Sequence, residues 1–199
     1  GFVSRGLGDV YKRQVYASKG LVQRLLAEGE ASPADVVLTV DIGRLRQYAD
    51  KNLFASFASE KLRAAIPRHL RSSDNTWFGF SKRSRVIAVG KDLENQDQIK
   101  RFENIADKRW NGQVCSRPGS HVYNRALLSS VIAANGEAAA KAWAEGMVAN
   151  LARSPRGNDR AQIKAIYAGE CGITIVNHYY YGKLINSSNS EERQWAESV

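Results

Sequence analysis

Hydrophobic residues recur along the chain in two alternating patterns, one spaced as on a helix and the other a short continuous run. Leucines within residues 21–26 form a helical stripe, and the run VVLTV at 36–40 predicts a buried strand. Helical spacing returns over residues 44–54 and 62–70. The first part of the chain therefore predicts an alternation of helices and strands.

The same alternation continues to the end of the chain. A helix that contains Tyr123 is predicted to end at Asn135–Gly136, because these residues favour a helix stop. Strands that alternate with helices predict an α/β protein with a mostly parallel sheet covered on both faces. The other predicted elements are strands at 77–80, 85–89, 114–116 and 173–176, and helices at 137–151 and 161–168.

The chain is basic, with 29 Lys and Arg against 20 Asp and Glu and a formal net charge of +9 over 199 residues. Such a charge suits a nucleic acid or an anionic ligand. The basic residues are interspersed with acidic ones, so a nucleic-acid-binding module is the weaker alternative. No run of about 18 apolar residues predicts a membrane span. No P-loop, GxSxG or HExxH motif predicts an enzyme.

Two cysteines, Cys115 and Cys171, each begin or border a short apolar run. If the two runs are neighbouring strands, the thiols lie close enough for a disulfide, which would indicate an oxidising compartment. Two buried thiols are the alternative that the sequence leaves open. The histidines show no metal-ligand spacing with these cysteines, so a zinc site is not predicted.

Three consecutive tyrosines, Tyr179, Tyr180 and Tyr181, follow the predicted strand at 173–176. A phenolate oxygen is a hard anionic donor, which suits a hard, highly charged cation such as ferric iron. Neighbouring side chains on a strand point to opposite faces, so we expect at most two of the three at one metal ion. A half-buried aromatic patch with hydrogen-bonded hydroxyls at its rim is the alternative.

Ligands of open α/β sheets collect at the carboxyl ends of strands, where the loop to the next helix begins. Three segments meet this description, at residues 39–43, 116–123 and 177–182. The second leads to a predicted helix N-terminus, where backbone amides and the helix dipole favour an anion. Arg117 and Ser120 are therefore candidate anion-binding residues.

Tyr123 follows in the same segment, near the start of the predicted helix. Its phenol is expected to project toward the same crevice as Tyr179 and Tyr180, as a third donor. Phenolates around a trivalent ion would leave negative charge that a nearby guanidinium offsets. Three arginines are available for this, Arg83, Arg85 and Arg117.

Four segments carry a resemblance to a known family: SPADVVLTVDIGRL (32–45), WFGFSKRSRVIAVGKD (77–92), WNGQVCSRPGSHVYNRALLSSVIAANGEAAAKAW (110–143) and AGECGITIVNHYYYGKL (168–184). From about Gly20 onward, the chain resembles the periplasmic ferric iron-binding proteins of bacterial ABC importers, and most closely their cyanobacterial-type branch. The resemblance implies a type II periplasmic-binding-protein fold. In that fold two lobes, with mostly parallel or mixed sheets covered by helices, close over one ferric ion.

The resemblance also implies the roles of individual residues. Arg83 matches an arginine that lies near the metal in relatives, and Tyr181 takes the place of a packing aromatic. Some relatives complete the iron shell with a synergistic anion, for which Arg117 and Ser120 are the candidates here. The implied ferric ligands are Tyr123, Tyr179 and Tyr180.

The resemblance implies a fold that is incomplete at both ends of this chain. Residues 1–14 are interpreted as an unrelated or artefactual lead that replaces a region with a further tyrosine ligand in relatives. Residues 15–82 are expected to form part of an N-terminal lobe, 83–90 a crossover strand, and 91–199 an incomplete C-terminal lobe.

The implied function is that of an extracytoplasmic binding protein and not of an enzyme. It would capture ferric iron or a ferric chelate in the periplasm and deliver it, as a monomer, to an ABC permease in the inner membrane, without a nucleic-acid partner. One alternative keeps the fold and binds an organic or phosphate-bearing anion. The other is the basic nucleic-acid-binding module.

Overall fold

The structure is a computed structural model, and it describes residues 15–16 and 20–199. The predicted lead at residues 1–14 lies outside the described residues. Contacts between Cα atoms divide the chain into two compact units, one that ends at Ser81 and one from Lys82 to Val199. The assignment of 15–82, 83–90 and 91–199 to lobes and a crossover strand stays a prediction.

The first unit has a small core formed by Leu21, Val22, Leu25 and Tyr48. The predicted helix is therefore confirmed, with Leu21 and Leu25 of its leucine stripe facing the core, whereas Leu26 is about half exposed. Its strands pair in parallel, with Val15 opposite Val36. The elements are β1 (Val15–Tyr16), α1 (Leu21–Glu28), β2 (Val36–Val37), α2 (Ile42–Ala49) and α3 (Glu60–Ala65), with 3-10 turns at Gly29–Ala31 and Arg68–Leu70.

Two strand predictions in this unit are wrong. The run at 36–40 forms only the two-residue β2, and the side chains of Val36 and Leu38 are about half exposed. Its partner β1 is itself two residues long, so the ladder ends before the apolar run does. Residues 77–80 follow a tight turn and form no strand: the amide of Ser72 donates to the carbonyl of Trp77, and Phe78 forms an isolated bridge with Arg71.

The second unit is built on a three-stranded sheet in the order β3–β5–β4. Strand β3 (Arg85–Val89) is antiparallel to β5 (Ile173–Asn177), and β4 (Val114–Cys115) is parallel to β5. The sheet is therefore mixed, as the resemblance implied. Every residue of the central strand β5 is buried.

Helices cover both faces of this sheet. Successive residues of β5 point to opposite sides and therefore pack against helices on both faces. Ile173 packs in a cluster with Leu127 and Trp143, whereas Val176 packs in another with Ile163 and Leu184. The helices are α4 (Val122–Asn135), α5 (Glu137–Ala149), α6 (Asp159–Tyr167), α7 (His178–Ile185) and α8 (Ser190–Glu197), with 3-10 turns at Gln96–Gln98, Phe102–Ala106 and Lys108–Trp110.

The predicted stop at Asn135–Gly136 is confirmed as the boundary between α4 and α5. Gly136 adopts a φ of 83°, in the region that glycine tolerates better than any other residue. Of the helices in residues 15–16 and 20–199, none combines the length and apolar character that crossing a bilayer requires.

The two cysteines form a disulfide, so the first of the two alternatives drawn from the sequence is the one the structure adopts. Cys115 and Cys171 are joined at an S–S distance of 2.09 Å, and both are buried. The bond ties the last residue of β4 to the segment that precedes β5. A buried disulfide of this kind indicates folding in an oxidising compartment.

Candidate metal centre

One end of the sheet in the second unit brings three tyrosines together, and we name it the tyrosine end. It comprises the carboxyl ends of β4 and β5 and the amino end of β3, together with Tyr123, Tyr179 and Tyr180. The chain leaves β4 through a loop and enters α4, whose second residue is Tyr123. It leaves β5 directly into α7, which carries the other two tyrosines.

The tyrosine run follows the carboxyl end of β5, as predicted, but it lies in the first turn of a helix and not in a loop. Successive residues on a helix are rotated by about 100°, which keeps Tyr179 and Tyr180 on one broad face. Their rings stack with centroids 4.5 Å apart. Tyr181 is 40% exposed, and its role as a packing aromatic stays a prediction.

The predicted phenols meet across the boundary between two helices. The hydroxyl oxygens of Tyr123 and Tyr179 are 3.5 Å apart. Tyr123 is buried, whereas Tyr179 and Tyr180 are half-buried. His121 fixes the start of α4, because its Nδ1 accepts the backbone amide of Tyr123 at 3.2 Å. The geometry thus gathers the three side chains that the resemblance implied as ligands.

Arg83, which the resemblance implied near the metal, lies beside these phenols. Its Nη1 donates a hydrogen bond to the hydroxyl of Tyr123 at 3.1 Å, and its guanidinium carbon is 5.7 Å from the ring centroid of Tyr179. Lys183 brings a second cation, with Nζ at 5.6 Å from the same ring. Two positive groups from different parts of the chain therefore flank the phenols.

The two candidate anion-binding residues lie in different environments. Arg117 is buried, and its Nη1 donates to Asp159 at 2.7 Å, so its charge is already paired. Its guanidinium carbon is 4.9 Å from the ring of Tyr123. Ser120 is exposed and precedes the N-cap of α4, which is His121. The charge of Arg117 is therefore already compensated, and Ser120 faces solvent.

Asp159 and Asn124 belong to this site but were not among the sequence candidates. Asp159 is fully buried, and Asn124 accepts a hydrogen bond from Arg85 at 3.0 Å through its side-chain oxygen. At the start of α6, beside the N-cap Asn158, Asp159 has the sequence signature of an ordinary helix terminus. Its role in the site is visible only from its partners Arg117 and Arg85, which are 42 and 74 residues away along the chain.

The three phenols differ in pKa because burial and hydrogen bonds act on them to different extents. Burial raises the pKa of Tyr123, and its interaction with Tyr179 raises it further. Burial and the neighbouring Tyr179 also raise the pKa of Tyr180. Burial opposes ionisation of Tyr179 as well, but hydrogen bonds from its neighbours Tyr123, Tyr180 and Asn177, with the charge of Arg83, hold its pKa below the ordinary value. Tyr179 is thus the first of the three to become a phenolate.

The oxygen donors of this cluster suit a hard cation. Phenolates supply anionic oxygen, and a bound trivalent ion would itself displace the remaining protons. Within the described part of the chain, no group of three or more His, Cys, Asp or Glu side chains could hold a metal ion.

A separate cavity of about 670 Å³ lies at the opposite end of the same sheet, which we name the cavity end. It follows the carboxyl end of β3 and precedes β4. Its charged and amide side chains include Asp92, Glu94, Gln98, Asp107 and Arg109. No tyrosine lines this cavity, so volume and donor chemistry point to different ends of the sheet.

Comparison with known proteins places the chain in a family. Residues 31–195 match the model of the bacterial extracellular solute-binding protein family. The chain is 43% identical to iron uptake protein A1 of Synechocystis over 179 residues, which is 90% of this chain and 50% of that protein. It is 30% identical to the Fe(3+)-binding periplasmic protein of Serratia marcescens, over 80% of this chain and 46% of that protein.

A solved structure extends the comparison to the fold. IdiA (FutA) of Trichodesmium, in complex with iron and citrate, superposes with a TM-score of 0.84 at 41% identity, over 90% of this chain and 57% of that one. The type II periplasmic-binding-protein fold implied by the resemblance is confirmed for the part spanned, and the chain spans about half the length of the curated relatives it matches. The chain belongs to the bacterial extracellular solute-binding protein family.

Proposed function

We propose that this chain is the iron-holding part of an extracytoplasmic solute-binding protein, with Tyr123, Tyr179 and Tyr180 as ferric ligands. The observation that carries the proposal is the convergence of phenols from two helices, with hydroxyl oxygens of Tyr123 and Tyr179 3.5 Å apart. A cluster built only for packing would not require two cations beside its phenols, one of them hydrogen-bonded to a hydroxyl group. Arg83 and Lys183 supply those cations.

The charges at the site suit capture of a trivalent ion. Tyr179, whose pKa is lowered, supplies the first phenolate, and the bound ion displaces the protons of Tyr123 and Tyr180. Three phenolates balance the charge of one ferric ion. A further anionic ligand, such as a carboxylate of a chelate, would leave negative charge that Arg83 offsets.

The named relatives support the same biological role. Iron uptake and periplasmic Fe(3+) binding are in the names of two of them, and a third holds iron with citrate. By the same reasoning the chain acts in the periplasm as a binding protein and not as an enzyme, as a monomer without a nucleic-acid partner. It delivers ferric iron to an ABC permease, and the disulfide suits that compartment.

The proposed mechanism is closure of two lobes over the ion. Residues 15–82 would belong to the N-terminal lobe and 91–199 to the C-terminal lobe, with residues 83–90 crossing between them. Metal binding would stabilise the closed form by the difference in its affinity for the two forms.

Titration of the chain with ferric citrate, followed by visible absorbance, tests the iron site. Wild-type protein is expected to show a tyrosinate-to-iron charge-transfer band, which Tyr123→Phe weakens or shifts because it removes one ligand oxygen. Tyr181→Phe is the matched control, since Tyr181 is exposed on the same helix and is not a proposed ligand. Absence of the band in folded wild-type protein would refute iron binding.

The same variant separates iron from the anion alternative. Tyr123→Phe removes one oxygen and leaves the charge of Arg117 in place, so binding of citrate or inorganic phosphate alone should change little. The structure gives this alternative weaker support, because Asp159 already pairs with Arg117 and Ser120 is exposed. Steeply salt-dependent binding to duplex DNA would instead support the nucleic-acid alternative.

A further inference from the structure

A single buried carboxylate lies beneath the phenols. Asp159 has no exposed surface, and both of its oxygens are occupied. Oδ1 accepts from Nη1 of Arg117 at 2.7 Å, and Oδ2 accepts from Nη1 of Arg85 at 2.7 Å. Oδ2 also accepts the backbone amide of Asn177 at 2.8 Å. One side chain therefore holds together the loop after β4, the start of β3 and the end of β5.

Each partner of Asp159 in turn contacts a proposed ligand. The guanidinium carbon of Arg117 lies 4.9 Å from the ring centroid of Tyr123, and that of Arg85 lies 5.9 Å from it. Asn177 donates through Nδ2 to the hydroxyl of Tyr179 at 3.4 Å. Asp159 is thus one residue removed from two phenols that arrive on different helices.

The charges of the two guanidiniums depend on this carboxylate. Asp159 pairs with both Arg85 and Arg117, so it is the anion that compensates both guanidiniums. Each of the two arginines also buries an Nε that has no hydrogen-bond partner within the described residues. Burial lowers the pKa of Arg85, the charge of Asp159 opposes that effect, and the charge of Arg117 adds to it. Without the carboxylate, two like charges would face each other in a buried space.

We propose that Asp159 is a positioning residue of the iron site, which sets the placement of Tyr123 and Tyr179 through Arg85, Arg117 and Asn177. The inference rests on the proposed ferric function, because it assigns a supporting role to a residue behind the ligands. Side chains that support metal ligands from behind commonly determine the metal affinity by orienting the ligands. Asp159 would do so for two ligands at once.

Three variants of the full chain test the proposal. Asp159→Asn keeps the shape of the side chain and removes its charge. Asp159→Asn/Arg117→Met removes one charge of each sign and restores the net charge of the buried group. Glu170→Gln is the matched control, because Glu170 also pairs with two arginines, Arg153 and Arg156, but is 41% exposed and is not paired with a residue that contacts the phenols.

Two readouts are taken on each variant. Nuclear magnetic resonance of ¹³C-labelled tyrosine rings, assigned with single Tyr→Phe variants, reports the placement of the phenols without iron. Competition with citrate reports the ferric affinity. Asp159→Asn should shift the signals of Tyr123 and Tyr179 and weaken ferric binding by about 10- to 100-fold. The double variant should recover part of the affinity, and Glu170→Gln should match wild type.

The outcomes separate this proposal from the iron proposal. Unchanged tyrosine signals in folded Asp159→Asn protein would overturn the positioning role, as would shifted signals with wild-type ferric affinity. Shifted signals in a chain whose wild type binds no iron would refute the ferric function while the placement of the phenols by Asp159 stands. If Asp159→Asn does not fold, the double variant carries the test. An altered Tyr179 signal then supports the proposal, and a wild-type signal overturns it.

Discussion

At the tyrosine end of the sheet, an aspartate and two arginines are largely buried and paired beneath three phenols. At the cavity end, the paired charged side chains are exposed to solvent. Asp159 is fully buried between two arginines. Asp107, at the cavity end, is 45% exposed and pairs with a half-exposed Arg109. Hydrogen bonds from Arg109 hold the pKa of Asp107 below its usual range, so this carboxylate is an ordinary ionised surface group.

The difference shows that cavity volume and buried, paired charges lie at different ends of this sheet. Exposed ion pairs cost little to form or to break, so their arrangement carries little information about a ligand. Buried charges are tolerated only when they are compensated, and the compensation fixes their neighbours in place. The donors at the tyrosine end are therefore pre-positioned by buried pairs. The polar side chains at the cavity end surround a cavity but are not fixed in this way.

The largest expected effect concerns the disulfide, which joins Cys115, where the loop to Tyr123 begins, to the segment that precedes β5. Cys115 and Cys171 are separated by 56 residues, for which chain entropy predicts a contribution of about 4 kcal/mol. Cys115→Ala/Cys171→Ala should lower the free energy of unfolding in urea by about this amount. Hydrogen exchange should accelerate more in residues 116–123 than in residues 92–98.

Reduction of the wild-type protein is the control for this prediction. It should reproduce most of the loss without removing the buried sulfur atoms. Equal unfolding midpoints for the variant and the wild type would show that packing alone holds β4 beside β5. Equal acceleration of exchange at both ends would remove the contrast between them.

The second effect compares ligands at the two ends directly. Tyr180→Phe should weaken ferric binding by more than about 100-fold, because loss of a ligand should exceed the 10- to 100-fold typical of a residue behind the ligands. Asp107→Asn, at the cavity end, should leave the affinity unchanged. Competition with citrate measures both. A larger loss from Asp107→Asn than from Tyr180→Phe would place the metal at the cavity end.

The third effect is the order in which the phenols ionise. The pKa of Tyr179 is lowered and those of Tyr123 and Tyr180 are raised, so one phenol should lose its proton below pH 10 and the other two above it. Absorbance near 295 nm, recorded without iron, should show this early step, and Tyr179→Phe should abolish it. A titration in which Tyr179→Phe leaves the early step intact would contradict the assignment.

The same pKa shifts indicate the direction in which ferric affinity changes with pH. Ferric affinity should fall as the pH falls, because bound phenolates must lose protons that compete with the metal. Each ligand phenol that is protonated before the metal binds releases one proton, and the raised pKa values of Tyr123 and Tyr180 keep both of them protonated at neutral pH. An affinity independent of pH between about 6 and 8 would argue against phenolate ligands.

Much of the second unit follows from local sequence signals. The strand at 85–89 and the helix boundary at Asn135–Gly136 lie where the pattern predicted them, because continuous apolar runs and a glycine stop act locally. The tyrosine set followed from the resemblance and the local run, and the structure brings the three together. Whether they bind iron stays a prediction that no observation in the structure tests.

Long-range pairing explains what the sequence did not show. The tyrosine run follows β5 as predicted, but its helical conformation was not predicted, because a loop was expected at residues 177–182. The strand stops at Asn177, whose backbone amide donates to Asp159 at the start of α6. The run at 36–40 was predicted as a full strand because apolar character is visible locally, whereas the pairing that extends a strand is not. Both differences concern partners that are distant in sequence.

The smallest expected effect concerns Arg83, the exposed cation of the tyrosine end. Its hydrogen bond to the hydroxyl of Tyr123 is 3.1 Å long, and a net contribution of about 1 kcal/mol is typical of such a bond. Arg83→Gln should therefore weaken ferric binding by about fivefold. It should also raise the pKa of Tyr179, because the charge of Arg83 is one of the causes that lower it.

Lys82→Gln is the matched control for Arg83, since it removes the same charge from the adjacent exposed position. A general electrostatic effect would make the two variants equal and would make both losses shrink at high salt, because exposed charges are screened. A loss confined to Arg83→Gln, together with a raised Tyr179 pKa, would show that the direct contact matters. Such a result would sharpen the contrast between the two ends, because even an exposed charge at the tyrosine end would then act through a specific partner.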